Sequence, residues 1–126
     1  MITYNLNKYK NFLILFFPLS IVIGPAVSEV TIILISLIFL AISHKNNLWK
    51  KYYTNPVAIL FWSWCIYLII RSSLSFDPIF SLKSSLFYFR FGLLSLAVWH
   101  SLEEDKKFNK IFFWYFLLIF LFVIFD

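Results

Sequence analysis

Five stretches of the chain are almost purely apolar, and most of the lysines are gathered into the gaps between them. The stretches run from about Tyr9 to Ile23, Ala26 to Ser43, Pro56 to Ile70, Leu82 to Leu102 and Ile111 to Phe125. Hydrophobic residues make up 62% of the 126 residues and charged residues 13%, against about 45–50% and about 25% in soluble domains. Too few polar side chains are present to cover a water-facing surface, so the lipid bilayer is the expected solvent. A helix needs about 20 residues to cross the hydrocarbon, which limits the chain to four or five crossings with no extramembrane domain. Runs such as Thr31–Ile42 lack the alternating polarity of a membrane barrel. The expected fold is therefore all-α, a polytopic transmembrane bundle of about five hydrophobic helices in a single transmembrane region.

Gly24-Pro25 predicts the first boundary. Pro25 has no N–H to donate, Ser28 is a candidate cap, and Glu29 falls in the first turn, where a carboxylate meets the helix dipole favourably. The result is a tight hairpin, with a partly re-entrant first segment as an alternative. A signal peptide cleaved near Ala26-Val27-Ser28 is the competing reading, disfavoured because another apolar span begins at Val30. If every segment crosses, eight lysines share one side: Lys8 and Lys10; Lys45, Lys50 and Lys51; Lys106, Lys107 and Lys110. The other side receives Arg71 and Lys83, in or beside the loop holding Asp77-Pro78. By the positive-inside rule the N-terminus is cytoplasmic, with Gly24-Pro25, the 71–81 loop and Asp126 outside. The net charge of +5 thus reads as topology rather than as a nucleic-acid signal. As a helix, Ile111 to Phe125 spans only about 22 Å, short for a comfortable crossing, and the chain is expected to be the front part of a longer polytopic protein.

Arg90 is the charge that breaks the pattern, near the middle of the 82–102 stretch. A guanidinium in hydrocarbon is costly and usually faces protein, a wet cavity or an anion. If the stretch is one helix, Lys83 and Arg90 are seven residues apart and lie about 20° apart on the wheel. They would share a face with Leu86, Phe87, Leu94 and Ala97, and Arg90 would sit about 10 Å deeper than Lys83. Arg71, across the external loop, completes a predicted anion site of Arg71, Lys83 and Arg90 suited to a phosphate or diphosphate, which arginine grips in a fork. The competing reading makes Lys83 and Arg71 interfacial anchors and lets Arg90 snorkel or pair with a carboxylate in a part of the protein beyond this chain. A separate stripe of Ser81, Ser85, Tyr88, Gly92 and Ser95 predicts a close helix-packing seam.

Other groups promise less chemistry. His44 and His100 fall at helix ends as interfacial residues, and Trp49, Trp99 and Trp114 fit an aromatic belt. The lone Cys65 allows no intrachain disulfide. No metal-ligand cluster, Gly-rich phosphate loop or nucleophile–base pair is visible in the sequence, so no cofactor, no metal and no catalytic side chain is expected.

Three passages carry a resemblance. They are Phe16-Phe17-Pro18-Leu19-Ser20 followed by Gly24-Pro25; Ser72-Ser73-Leu74-Ser75-Phe76-Asp77-Pro78; and Ser81-Leu82-Lys83-Ser84-Ser85-Leu86-Phe87-Tyr88-Phe89-Arg90-Phe91. In their order they resemble the N-terminal third of the O-antigen ligase and O-antigen polymerase-like family of bacterial multi-pass membrane proteins. The resemblance implies a bacterial inner-membrane location and a part in lipopolysaccharide biosynthesis. Its implied partners are a polyprenyl-diphosphate-linked glycan and a glycan or lipid A-core acceptor, with Arg90 matching the arginine of the family's membrane helix. The family's large catalytic external loop is absent from this chain, so the polypeptide alone is expected to be inactive. Two other classes compete: a fragment of a membrane transporter or exporter, and a small non-catalytic membrane subunit. Small exporters carry a deep carboxylate in the first span, and this first span has none.

Overall fold

The computed structural model describes residues 2–125, with the side chains of residues 2, 3 and 86 left aside; Asp126, expected outside, lies beyond the described residues. Seven helices follow one another: α1 (Ile2–Ile23), α2 (Pro25–Asn46), α3 (Trp49–Tyr52), α4 (Pro56–Ser73), α5 (Pro78–Leu86), α6 (Phe89–Glu104) and α7 (Lys106–Phe125). The fold is all-α, with no strand among the described residues. Four helices (α1, α2, α4 and α7) are long and apolar enough to cross a membrane.

The α1–α2 corner contains no loop. Gly24 adopts φ 151°, a region closed to most side chains, and Pro25 starts the next helix at its first position. Hydrogen bonding runs on through the corner, from Gly24 N to Ser20 O (3.1 Å) and from Ser28 N to Gly24 O (3.2 Å). Ser28 is therefore inside the first turn rather than its cap, and its hydroxyl donates to Pro25 O. Asn47, left-handed at φ 51°, closes α2. Asn55 caps α4 by accepting from Val57 N at 3.1 Å, and Asp105 caps α7 by accepting from Lys107 N at 2.8 Å.

Several expected boundaries shift. The last helix starts at Lys106 rather than Ile111, so its 20 residues reach about 30 Å instead of the expected span of about 22 Å. The first helix begins at Ile2 rather than Tyr9, so Lys10 lies more than two turns from its start rather than at it. The 82–102 stretch is not one helix. Around Phe87-Tyr88 the bonding tightens to i−3 contacts: Phe87 N to Ser84 O, Tyr88 N to Ser85 O and Arg90 N to Phe87 O, each 3.3 Å. Such a turn advances the chain about 20° more per residue than an α-helix. It takes Lys83 off the face that carries Arg90. The two helices also part company in their neighbours: α5 lies on α4, whereas α6 packs chiefly on α2. The predicted shared face of Lys83 and Arg90 therefore does not form, and Leu86 offers no described side chain to judge it by.

The core is a stripe on α2. Thr31, Ile32, Ile35, Ser36, Phe39, Ile42 and Ser43 are buried, at the three-and-four spacing of one helix face, against Ile14 of α1 and Leu96 and Ala97 of α6. Phe39 stacks on Tyr53 and meets the edges of Tyr52 and His100 at centroid distances of 6.1, 6.3 and 5.8 Å. The predicted seam holds at Gly92, where a Cβ would come within 2.9 Å of both Phe61 and Trp62 of α4.

The polar contacts divide the assembly into two ends. Asn7 reaches Glu104 and Lys51 reaches Glu103, at 2.8 and 2.7 Å. These contacts draw together the start of α1, the segment after α2 and the α6–α7 junction, which are the three regions carrying the eight lysines. Glu29 and Arg90 lie toward the other end, beside the Gly24 corner.

Candidate functional site

Arg90 is not free. It forms a fork with Glu29, one turn into α2: Nη2 donates to Oε1 at 2.7 Å and Nη1 donates to Oε2. Its guanidinium carbon lies 5.3 and 5.1 Å from the ring centroids of Phe87 and Phe91. The Arg90 backbone oxygen accepts from Ser36 Oγ at 3.3 Å, two turns of α2 below Glu29, about 10 Å along the axis. The side chain therefore climbs along α2 toward the Gly24 corner. The pairing expected with a carboxylate beyond this chain is made within it, to Glu29. From the sequence Glu29 was given to the helix dipole because it falls in the expected first turn, and the 61 residues between it and Arg90 hid the pair.

The fork fits what a guanidinium does with a planar oxyanion. The Arg90 side chain is 18% exposed and that of Glu29 45%, so the carboxylate can be reached from outside while the cation is mostly enclosed. Arg90 Nε is buried with no partner, leaving one donor of the fork unused.

The other two predicted site residues stand apart from this pair. Arg71, in the last turn of α4, donates from Nη1 to Tyr67 OH on its own helix at 3.1 Å. Lys83 is exposed beside an open hollow of about 400 Å³ that it shares with Asp77, Pro78 and Phe80. Among the described residues neither makes an ion pair. The convergence of three cations is not seen.

The opposite end holds the polar groups that sequence reading missed. Lys10, expected ahead of the first span, is wholly buried, and its Nζ donates to His100 Nδ1 at 2.5 Å. An ammonium only donates, so Nδ1 is the bare nitrogen and the ring is neutral. The 3.5 Å approach of Glu104 Oε2 to the same nitrogen is therefore a contact and not a second hydrogen bond. His100, near the end of α6, is a buried acceptor. The signal was present in the spacing: Asn7, Lys10, Asn11 and Ile14 lie on one helical face, polar first and then apolar.

Beside this cluster, Glu103 accepts from Lys51 Nζ and Tyr52 OH, both at 2.7 Å. These two hydrogen bonds, with Lys51's the larger effect, hold the Glu103 carboxyl below the usual carboxylate range. Chiefly through its hydrogen bond to Glu103, the Lys51 ammonium is held above the usual lysine value. Among the described residues no group of His, Cys, Asp and Glu is placed to hold a metal ion.

The fold and these sites define the class only coarsely: an all-helical protein with four helices able to cross a membrane and a polar cluster toward each end. Compared with family models, curated proteins and solved structures, the chain matches none.

Proposed function

We propose that the chain is the membrane-embedded part of a glycan ligase or polymerase, acting on a polyprenyl-diphosphate-linked polysaccharide in the bacterial inner membrane, with Arg90 receiving the diphosphate. The observation that carries this reading is the fork itself. Arg90 already holds a planar oxyanion on two donors, keeps a third unused, and its occupant is a half-exposed side chain that a more highly charged group can displace. A cation that meets the diphosphate as it leaves stabilises the developing charge of glycosyl transfer. Arg71 and Lys83 act as outlying attractors on the same side. The N-terminus is cytoplasmic, with Lys10 buried at that end and the other seven of the eight lysines facing the cytoplasm.

The experiment is a titration of the protein in nanodiscs with polyprenyl diphosphate, using the monophosphate and the free alcohol as references. Glu29→Ala should tighten diphosphate binding about tenfold by removing the competing carboxylate, a change equivalent to about 1.4 kcal/mol. Arg90→Ala should abolish the preference for diphosphate over alcohol without affecting insertion. Equal binding of the three lipids by wild type and Glu29→Ala would exclude the anion site. Orientation is checked separately in a Cys65→Ser background. An impermeant thiol reagent added outside should label Ser75→Cys and spare Asn46→Cys, and the reverse pattern inverts the topology.

One observation favours a second reading, a non-catalytic membrane subunit. The Arg90–Glu29 pair is charge-neutral as it stands and joins α6 to α2 like a structural clasp. If Glu29→Ala lowers stability and leaves diphosphate binding absent, that reading replaces the first.

A further inference from the structure

The connection between α4 and α6 is built inside out. On the wheel of α5, Ile79, Lys83 and Phe80 fall within an arc of about 100°, and Ser84, Ser81 and Ser85 within the next arc of the same width. A helix with water on its outer side turns its apolar arc toward the protein. Here the reverse holds. Ser85 is buried and Ser81 half-buried, whereas Ile79 and Phe80 are 87 and 78% exposed. In the turn just ahead of α5, Leu74 is 83% exposed and Phe76 entirely so. The inward hydroxyls find partners within the segment: Ser75 Oγ donates to Ser81 Oγ at 2.9 Å, and Ser85 Oγ to Ser81 O at 3.0 Å. On the outer arc the one charge is Lys83, which makes no ion pair among the described residues.

The height of this connection is set by the helices on either side. Both α4 and α6 rise from the end where Lys51 meets Glu103. The 18 residues of α4 reach about 27 Å and the 16 residues of α6 about 24 Å. A hydrocarbon core is about 30 Å thick, so the segment from Leu74 to Tyr88 bridges the two helices where acyl chains give way to headgroups. With 9 residues, α5 is about 14 Å long, too short to cross, and it lies on α4 instead of standing away from it.

We propose that α5 and the turn ahead of it form an interfacial anchor, lying in the plane of the leaflet opposite the lysine-rich end, with the bilayer itself as the partner. Leu74, Phe76, Ile79 and Phe80 enter the acyl boundary, and Ser84, exposed on the serine arc, faces the headgroup water. Lys83 lays its stem along the apolar arc and brings its ammonium to a lipid phosphate, as lysines of in-plane helices do. Two observations favour lipid over a second copy of the chain. The apolar arc continues into Ile66, Tyr67 and Ile70 on the last turns of α4, all more than half exposed. A protein partner would also enclose Lys83 without a counter-charge, which is costly, whereas the phosphate layer supplies one. The anchor holds the top of α6 at a fixed depth whether or not Arg90 receives a diphosphate.

The test is spin-label accessibility of the full chain in nanodiscs of phosphatidylethanolamine and phosphatidylglycerol, in a Cys65→Ser background. Nitroxides are attached one at a time to Phe76→Cys, Phe80→Cys and Ser84→Cys, all exposed positions, with Leu118→Cys on α7 as the lipid reference. Collisions are measured with oxygen, which concentrates in the bilayer, and with a water-soluble nickel chelate. The oxygen-to-nickel ratio at Phe76 and Phe80 should exceed that at Ser84 severalfold and approach that at Leu118. Lys83→Glu, repelled by the phosphate layer, should move the Phe80 label toward nickel, and Lys83→Arg should leave it in place. High nickel access at Phe76 and Phe80 puts α5 in water and overturns the proposal. Low access to both reagents means that protein covers the arc, and overturns it equally. A ratio at Ser84 equal to that at Phe80 shows a helix standing upright among lipids, and the in-plane anchor is then wrong. A Phe80 label indifferent to Lys83→Glu overturns the phosphate contact.

Discussion

Replacing Arg90 with methionine removes a forked ion pair and two ring contacts in one step, and the structure sets the size of the loss. Exposed pairs contribute about 0–1 kcal/mol, and breaking a fully enclosed pair costs about 3–5 kcal/mol. With Arg90 18% and Glu29 45% exposed, this pair falls between those limits. The faces of Phe87 and Phe91 add about 0.5–1 kcal/mol each. Arg90→Met is therefore expected to destabilise the protein by about 2–5 kcal/mol. Glu29→Gln keeps one acceptor for the guanidinium and should cost about 1 kcal/mol. In the double variant the loss should fall short of the sum by about 1 kcal/mol, the coupling between the two side chains. Unfolding in mixed detergent and dodecyl sulfate micelles, followed by helicity and by tryptophan fluorescence, measures all four corners of the cycle. Arg90→Lys retains the charge without the planar fork and should recover less than half of the loss. If the effects add to within about 0.3 kcal/mol, the fork contributes no energy and the argument built on it is wrong.

At Gly92, Ala or Val places a Cβ within 2.9 Å of Phe61 and Trp62, rings that are themselves held, Phe61 edge-on to Trp62 and Trp62 stacked on Phe89. The overpacking should cost about 1–3 kcal/mol and shift the Trp62 emission, and a Gly92→Ala protein that melts like wild type would show the seam to be loose. The Lys51–Glu103 pair should make stability pH-dependent at both extremes. Because Glu103 is depressed on folding, its contribution is present above the unfolded carboxylate value of about 4.3 and is lost as pH falls through the lowered folded value. Lys51 is raised, so its share is present below the unfolded value of about 10.4 and disappears as pH rises through the folded one. Melting temperatures from pH 7 down to pH 3 should fall more steeply for wild type than for Glu103→Gln; parallel curves would remove the pair from the account.

The helices were legible where composition and punctuation agree. Gly24-Pro25 marks its corner because the chain there needs a positive φ followed by a residue that has no N–H to donate, and both requirements are written in residue type. Gly92 announced close packing for a similar reason. The tightened turn at Phe87-Tyr88 had no such marker: neither Pro nor Gly interrupts residues 79–91, and what sets it is the divergence of α5 onto α4 from α6 onto α2, a tertiary matter. Arg90 stood out as an anomaly of charge, but its partner did not, since Glu29 already had a sufficient local role at its helix start. Lys10 was misjudged by position. A lysine eight residues ahead of Pro18 looks like a flank until the helix is known to begin at Ile2, and only then does the polar face of Asn7, Lys10 and Asn11 become visible.

The Asp105 elbow gives α7 a mechanical character unlike that of its neighbours. Asp105 is extended, at φ −134° and ψ 108°, and in the 20-residue rod beyond it Phe108, near the hinge, is the residue that is buried. A rod of that length measures about 30 Å, so a swing of about 10° at the elbow carries its far tip through about 5 Å. A shift among Asn7, Glu104 and Phe108 at the pivot would thereby be magnified at the far tip of α7.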